Sequence, residues 1–264
     1  MRSLMCAGLL LFSAALGWSI ISVQEPHVRE GQLTYRPIQV EEDGYVSSDT
    51  CRACHPAQYD TWHASFHRTM TQMPTRETVR AAFDGVRVTD VPGHPIVLER
   101  RGSQFWAEFG DPDWDRQGSE RPRITRQIVM LTGSHYQQVY WYRTDRTRVL
   151  GQLPATYLMA ERRWIPRDSA LLHPPVEKPD SETGRWNAIC VNCHATGGKR
   201  KFDAPASVET VGASAMTADT RVGEFGIACE ACHGPAGAHA RQNRNPVRRY
   251  WQYLTAEADR SAIV

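Results

Sequence analysis

Cys51-Arg52-Ala53-Cys54-His55 is the first of three copies of one pattern in this chain of 264 residues. The second copy is Cys190-Val191-Asn192-Cys193-His194, and the third is Cys229-Glu230-Ala231-Cys232-His233. Two cysteines three positions apart lie on one side of a helical turn, and the histidine follows directly. This spacing is the attachment pattern of a c-type haem: both sulfurs bind the haem vinyl groups, and the imidazole binds the iron.

The use of cysteine supports haem in all three motifs. Six of the seven cysteines belong to the motifs, and Cys6 lies in an apolar segment near the N-terminus. The alternative is zinc, because two Cys-x-x-Cys pairs can form a zinc ribbon. Three pairs, each followed by histidine, favour three covalently bound haem c groups. The predicted attachment residues are Cys51, Cys54, Cys190, Cys193, Cys229 and Cys232, and the predicted proximal iron ligands are His55, His194 and His233.

Composition agrees with a haem protein and excludes some other classes. Hydrophobic residues make up 41% of the chain, a little below the usual range, and haem groups would add apolar mass to the core. The formal net charge is +2, so no nucleic-acid partner is predicted. The chain has no nucleotide-binding loop of the type Gly-x-x-x-x-Gly-Lys, and no constellation of side chains predicts a catalytic residue.

The N-terminal segment predicts export. Arg2 is followed by an uncharged apolar run from Leu4 to Val23. Residues 1–24 are therefore predicted to be a signal peptide or a membrane anchor, and a buried soluble helix is the alternative. Export implies a periplasmic or other extracytoplasmic location, with anchoring to the inner membrane if the segment is retained. The polar residues 25–47 are predicted to be a linker.

The remaining residues, 48–264, are predicted to form one multihaem cytochrome domain. The expected fold class is α+β, mainly helical and irregular, packed around the covalently bound haems. A small antiparallel β-rich insertion is expected at about 81–175, because short β-type runs alternate there with turn residues. These runs are Val86–Val88, Ile96–Leu98, Phe105–Phe109, Ile124–Thr132 and Val139–Tyr142.

Two further patterns carry a family resemblance. Trp62-x-x-Ser65-x-His67 follows the first motif, and the third motif continues as Cys-x-x-Cys-His-Gly-Pro-x-x-x-His to His239. From about residue 45 to the end, the chain resembles the cytochrome c-554-type multihaem cytochromes. Among them it is most similar to relatives in exported bacterial proteins with tetratricopeptide repeats. The resemblance implies a mostly helical fold, bis-histidine irons in close pairs and electron transfer. Because such cytochromes usually have a fourth motif, the chain is interpreted as incomplete, with further haem motifs beyond Val264.

The second iron ligands are predicted from the remaining histidines. The resemblance assigns this role to His67 and His239 and places His135 in a similar Gly-Ser-His stretch; His63 and His173 are reserves. His239 follows His233 by six residues, which span at most about 20 Å. Reaching the opposite face of the same haem would strain this segment, so each second ligand is expected to serve a neighbouring haem.

Three functions remain open at this point. The first is an electron-transfer relay, and the second is a haem oxidoreductase with one open iron that acts on nitrite or hydroxylamine. The third is a haem-stabilised binding module of a larger assembly. Three second ligands for three irons would leave no open position, so the chain is predicted to be an electron carrier rather than an enzyme. The expected partners are redox proteins and the haem-attachment machinery.

Overall fold

The computed structural model describes residues 29–89, 95–114, 120–170, 183–203 and 217–255. The predicted signal peptide or anchor, the reserve ligand His173 and the chain after residue 255 lie outside these ranges. Within them, no helix is both long enough and apolar enough to cross a membrane. A 3₁₀ turn at Glu30–Gln32 belongs to a unit that is separate from the rest of the chain, which begins at Leu33.

The largest element is an antiparallel sheet of eight strands. Seven of them, from Asp84–Val88 to Arg163–Pro166, follow one another along the chain and each pairs with the next, while the short strand Thr71–Gln72 pairs with Leu131 and Thr132. The strands in chain order are β1 Ile38–Gln39, β2 Thr71–Gln72, β3 Asp84–Val88, β4 Ile96–Arg101, β5 Gln104–Gly110, β6 Arg123–Thr132, β7 Gln137–Arg143, β8 Leu150–Leu158, β9 Arg163–Pro166, β10 Ala195–Thr196, β11 Phe202–Asp203, β12 Thr217–Ala218, β13 Arg221–Val222 and β14 Glu224–Phe225.

The helices of the described residues are short, and the longest has ten residues. They are α1 Ser48–Arg52, α2 Pro56–His63, α3 Val191–His194, α4 Cys229–His233, α5 Gly237–Asn243 and α6 Pro246–Thr255. A 3₁₀ turn covers Arg68–Met70, and a π-helical turn covers Trp186–Cys190. The expectation of a mainly helical fold with only a small β insertion is therefore wrong, because strands form the main framework of this chain.

The sheet has an apolar core of its own. In β5 the alternate residues Phe105, Ala107 and Phe109 are buried, as expected for a strand with one face against a core. They pack with buried side chains from the other strands, including Ile96, Leu98, Ile128, Tyr140, Leu153 and Trp164. The five predicted runs lie on β3 to β7, whereas β8 and β9 were not predicted. These two strands extend the sheet beyond its expected size.

A second apolar cluster connects the sheet to the second motif. A bulge in β6 lets Val129 and Met130 pack with Trp141 of β7, away from the first core. Trp186 and Val191, which flank Cys190, are fully buried in this cluster. The second motif is therefore fixed directly on the sheet.

Short strand pairs position the other motifs. β1, which lies within the predicted linker, pairs in parallel with β13. β10, directly after the second motif, pairs antiparallel with β14, shortly before the third motif. These pairs connect the segments that carry the first, second and third motifs.

Candidate haem-binding site

The first motif lies on α1 and on the turn that joins it to α2. Ser47 caps α1, because its hydroxyl accepts a hydrogen bond from the Asp49 N–H at 3.3 Å. His55 precedes α2, and Pro56 takes the first helical position, where its missing N–H has no cost. The Tyr59 hydroxyl donates to the Asp49 carboxylate at 2.6 Å. This bond holds α2 against α1 and so fixes the segment between Cys51 and His55.

The third motif is α4, and a buried carboxylate within it binds two backbone amides. Glu230 accepts hydrogen bonds from the Val46 N–H at 2.9 Å and the Ala236 N–H at 2.7 Å. Burial raises the pKa of Glu230, although these two hydrogen bonds oppose the shift. Gly234 ends the helix with φ +74°, a left-handed conformation that favours glycine.

Further hydrogen bonds join the first and third motifs. The Ser48 N–H and hydroxyl both donate to the Glu224 carboxylate, at 2.7 and 2.8 Å. The Ser48 hydroxyl also accepts from the Cys229 N–H at 3.3 Å. The Trp62 indole N–H donates to the Ile227 carbonyl at 2.8 Å. The two motifs, far apart in sequence, therefore form one structural unit.

A cavity of about 700 Å³ lies between these two motifs. This volume is within the usual range for sites that bind a large organic cofactor. Residues of both motifs line the cavity, together with residues of α5 and α6 and of the turn between them. The main lining residues are Cys51, Cys54, His55, Cys229, Glu230, His233, His239, Asn243, Arg244 and Arg249.

Two of the predicted iron ligands come together at this cavity. The ring centroids of His55 and His239 are 6.3 Å apart, and their planes differ by 23°. The Asn243 amide donates to the His239 carbonyl at 2.9 Å and lies 3.4 Å from its Nδ1. His239 is thus held one turn before Asn243 on α5, and its ring is close to the imidazole of the first motif.

The two sulfurs of the first motif have different neighbours. Burial, and next the adjacent Cys229 thiol, raise the pKa of Cys51 to about 11. The Cys54 sulfur instead lies 3.1 Å from Nη1 of Arg249 on α6. Cys51 therefore faces the third motif, whereas Cys54 faces α6.

The second motif is positioned by polar contacts as well as by the apolar cluster. The Asn187 side chain accepts from the Leu150 N–H at 3.1 Å and donates to the Arg148 carbonyl at 2.8 Å. The His194 carbonyl accepts from the Thr71 hydroxyl at 2.6 Å. Burial lowers the pKa of the His194 imidazole, since it disfavours the charged form.

His67 and His135 lie on neighbouring segments. The His67 carbonyl accepts from the Ile227 N–H at 3.0 Å. His135 is in the turn between β6 and β7, and its ring centroid lies 4.2 Å from that of Phe66. The hydroxyls of Thr69 and Ser134 join the two segments at 2.5 Å. The segments of His67 and His135 therefore lie side by side, and the His67 backbone contacts the residues just before the third motif.

The approach of the His67 segment to the third motif depends on a glycine. Gly226 has φ +81°, and a Cβ at this position would lie 2.6 Å from the Arg68 carbonyl oxygen. Only glycine permits both this conformation and this approach. The reserve ligand His63 stacks its ring on that of Tyr59, with a centroid distance of 5.4 Å.

Sequence reasoning did not identify several residues of the cavity. The basic end of the chain was a signal for Arg244 and Arg249, but it did not place either side chain beside the first motif. Glu230 gave no signal, because its partners are backbone amides in other segments. Ser48 likewise becomes recognisable only through its bonds to Glu224 and Cys229.

Residues 50–89 match the model of a family described as cytochrome c554 and c-prime. The predicted family resemblance is confirmed. No curated protein matches the chain. Among solved structures, the outer cell wall cytochrome OcwA is similar over 76% of this chain, at 16% identity and a TM-score of 0.45. The chain spans 34% of the length of that cytochrome chain.

The cytochrome c554 family implies covalently bound haem c, and the residues present fit this group. Both thiols and the histidine of the first motif, together with Cys229 and His233 of the third, border one cavity of suitable size. A metal–imidazole bond of about 2 Å, with about 1 Å more to the ring centre, separates two axial rings by roughly 6 Å. The 6.3 Å between His55 and His239 agrees with this separation.

Proposed function

We propose that the protein is an exported multihaem c-type cytochrome that transfers electrons through three covalently attached haems. The observation that carries the proposal is the opposition of His55 and His239 at a cavity bordered by two haem-attachment motifs. One histidine belongs to a motif, and the other lies outside every motif. This arrangement supports an iron with two imidazole ligands.

Each side chain of the site has a distinct role in this proposal. The six motif cysteines attach the haems, and His55, His194 and His233 are the proximal ligands. His239 is the second ligand of the first haem, while His67 and His135 serve the haems of the other two motifs. Haem supplies the one-electron redox centre. An iron bound by two imidazoles would have no position left for a substrate, which favours electron transfer.

Both positively and negatively charged side chains lie around the first haem site. The guanidinium of Arg249 lies beside Cys54, and Arg244 also borders the cavity. Positive charge there stabilises the reduced, more negative state and raises the redox potential. The buried Glu230 acts in the opposite direction when it is ionised. These residues are therefore proposed to set the potential of the first and third haems.

An oxidoreductase with one open iron is the second candidate. Of the predicted second ligands that the structure describes, His239 is the one whose ring lies next to the ring of a motif histidine, His55. His135 instead packs between the rings of Phe66 and Tyr136, with centroids at 4.2 and 4.0 Å. If this packing holds the His135 imidazole away from iron, one haem is open to a small molecule such as nitrite or hydroxylamine.

Export and partners belong to the same proposal. Attachment of haem c takes place outside the cytoplasm and requires the haem-attachment machinery. The apolar segment at 4–23 is proposed to direct the chain there, as a signal peptide or as an anchor in the inner membrane. Redox proteins are proposed as electron donor and acceptor.

Ligand-binding spectroscopy on the haem-loaded full chain tests this function. The mass of the intact protein gives the number of covalent haems, with three expected. EPR and optical spectra of the oxidised protein should be purely low-spin. Cyanide added to the oxidised form and nitric oxide added to the reduced form should not bind. A stoichiometric high-spin haem that binds either ligand would overturn the relay and support the oxidoreductase.

A further inference from the structure

Helix α6 carries the main group of exposed apolar side chains in the part of the chain that the structure describes. The exposed fraction is between 58% and 75% for each of them, and they are Val247, Tyr250, Trp251 and Leu254. Their spacing of three and four positions places them on one face of the helix. The other exposed large apolar side chains of the described residues lie on three different segments, at Phe66, Tyr136 and Ile189. A clustered apolar face of this kind indicates an interaction site.

Contacts within the chain order α6 and set its orientation. The Asn245 side-chain oxygen accepts hydrogen bonds from the Val247 N–H at 2.9 Å and the Arg248 N–H at 3.2 Å, which caps the start of the helix. Arg249 lies on the side of the helix opposite the apolar face. Its guanidinium is 3.1 Å from the Cys54 sulfur and borders the cavity. The apolar face of α6 therefore points away from the first motif.

Positive charge surrounds this apolar face. Residues 234–255 contain four arginines and no aspartate or glutamate. Arg248 follows Val247 and lies at the border of the apolar face, while Arg241 and Arg244 come just before the helix. All four arginines are exposed. A helix with an aromatic-containing apolar face and arginines beside it is typical of helices that lie on membranes with anionic lipids.

A second copy of the chain fits this face less well than a bilayer does. The ten residues of α6 span about 15 Å, so one of its faces covers far less than the roughly 800 Å² per partner of a stable interface. A two-fold dimer through α6 would also bring the arginines of two copies together, and like charges repel. Phosphate headgroups attract the same arginines. Because the hydrocarbon core is about 30 Å thick, a helix of this length lies on a bilayer and does not cross it.

We propose that α6 binds the surface of an anionic phospholipid bilayer. The four apolar side chains enter the boundary between headgroups and acyl chains, and Arg248 with the arginines before the helix pairs with lipid phosphates. The inference goes beyond the proposed function, because it does not depend on the number of haems. It has a consequence for the first motif. Since Arg249 joins the opposite side of α6 to Cys54, lipid binding places the first haem-binding site beside the membrane.

Vesicle binding by the haem-loaded full chain tests the proposal. The protein is mixed with vesicles of phosphatidylcholine alone or with phosphatidylglycerol added, and bound protein is measured by sedimentation. Binding is expected to increase with phosphatidylglycerol and to weaken at high salt. Hydrogen–deuterium exchange of residues 246–255 should slow in the presence of the anionic vesicles. This second readout is specific to α6, so it decides the proposal even if the N-terminal apolar segment is retained and inserts into the vesicles.

Variants separate the apolar from the electrostatic contribution. V247S/L254S should reduce both vesicle binding and the slowing of exchange, because it makes the apolar face polar. One arginine beside an anionic surface contributes about fivefold in affinity, so Arg248→Glu should weaken binding at least about tenfold. Arg163→Glu on β9 is the matched control, since it changes the net charge equally at another exposed arginine. It should leave vesicle binding unchanged.

Three results would overturn the proposal. The first is unchanged exchange of residues 246–255 when anionic vesicles are added, which includes the case of a helix that is already protected by other parts of the chain. The second is equal loss of binding in Arg248→Glu and Arg163→Glu, because net charge alone would then explain the attraction. The third is concentration-dependent self-association that V247S/L254S abolishes while vesicles have no effect on exchange, which would make the face an interface between copies.

Discussion

The imidazole rings of His55 and His239 lie 6.3 Å apart, with their planes inclined by 23°. His55 ends the first motif, and His239 lies on α5, beyond the third motif. Hydrogen bonds of Ser48, Glu224 and Glu230 hold these segments together. Contacts within the polypeptide therefore help to bring the two imidazoles close to each other. An iron bound by both rings would add a further bond to this junction.

Replacing His239 by alanine is expected to open one haem. The first iron would lose its second imidazole and become high-spin, and about one equivalent of cyanide should bind to the oxidised protein. EPR and optical titration measure both effects. His63→Ala is the matched control, because the His63 ring stacks on Tyr59. Low-spin spectra without cyanide uptake in His239→Ala would contradict the pairing of His55 with His239.

Part of this fold was predictable from local sequence. The runs on β3 to β7 are short β-type segments separated by turn residues, so their strands were found. β8 was missed because Gly151 and Pro154 usually weaken a strand. In the structure the aromatic ring of Tyr142 covers Gly151, where a Cβ would lie 2.1 Å from the ring. Pro154 lies where the register between β7 and β8 shifts. Contacts with a neighbouring strand therefore tolerate residues that local rules disfavour.

The error in fold class has a physical origin. The family resemblance implied helices around haems, and the helical segments that hold the motifs are present but only four or five residues long. The sheet between the first two motifs fills its own core with aliphatic and aromatic side chains. The sheet therefore does not need a haem to complete its core. The expectation that haem groups would supply the apolar mass of the core led to an underestimate of the size of the sheet.

The candidate site was predictable to a similar degree. The motifs themselves define the attachment residues, and His239 stood in a recognisable pattern. Ser47 caps the first helix, and the Asp49 carboxylate accepts a hydrogen bond from the Tyr59 hydroxyl instead. The contacts of Glu230 and Arg249 join segments far apart in sequence, and no local pattern encodes them.

Removing the Glu230 carboxylate is expected to destabilise the junction of the first and third motifs. Glu230→Ala leaves the Val46 and Ala236 N–H groups without their acceptor, which should cost about 1–3 kcal/mol in the free energy of unfolding. Denaturant titration of the haem-loaded chain measures this loss. Glu99→Ala is the control, since the Glu99–Arg101 ion pair is half exposed and should contribute about 0–1 kcal/mol. Equal losses in the two variants would argue against the role of Glu230.

The pH dependence of stability should show the ionisation of the partly buried Glu224. Burial raises its pKa in the folded chain above the ordinary value of 4.5. The folded state then binds the proton more strongly than the unfolded state, so this group lowers stability as pH rises from the unfolded to the folded pKa. Glu224→Gln keeps an acceptor for Ser48 but cannot ionise.

The comparison that isolates this effect is the difference in free energy of unfolding, wild type minus Glu224→Gln. The difference should fall as pH rises above the ordinary carboxyl pKa of 4.5, because only the wild type takes on a partly buried charge. Denaturant titrations of both proteins at several pH values measure it. Carboxylates with a lowered pKa, such as Glu42 and Asp145, are present in both proteins and cancel. A difference that grows with pH would refute the assignment.

The sheet is expected to be stable without haem. Leu153 is fully buried among side chains of the sheet, and Leu153→Ala should cost about 2–5 kcal/mol in both the haem-loaded and the haem-free full chain. Leu254 on α6 is 58% exposed, so Leu254→Ala should change stability by no more than about 0.5 kcal/mol. Urea unfolding followed by far-UV circular dichroism measures both substitutions. If the haem-free chain shows no β signal, or if the two leucines give equal losses, the sheet depends on haem for its packing.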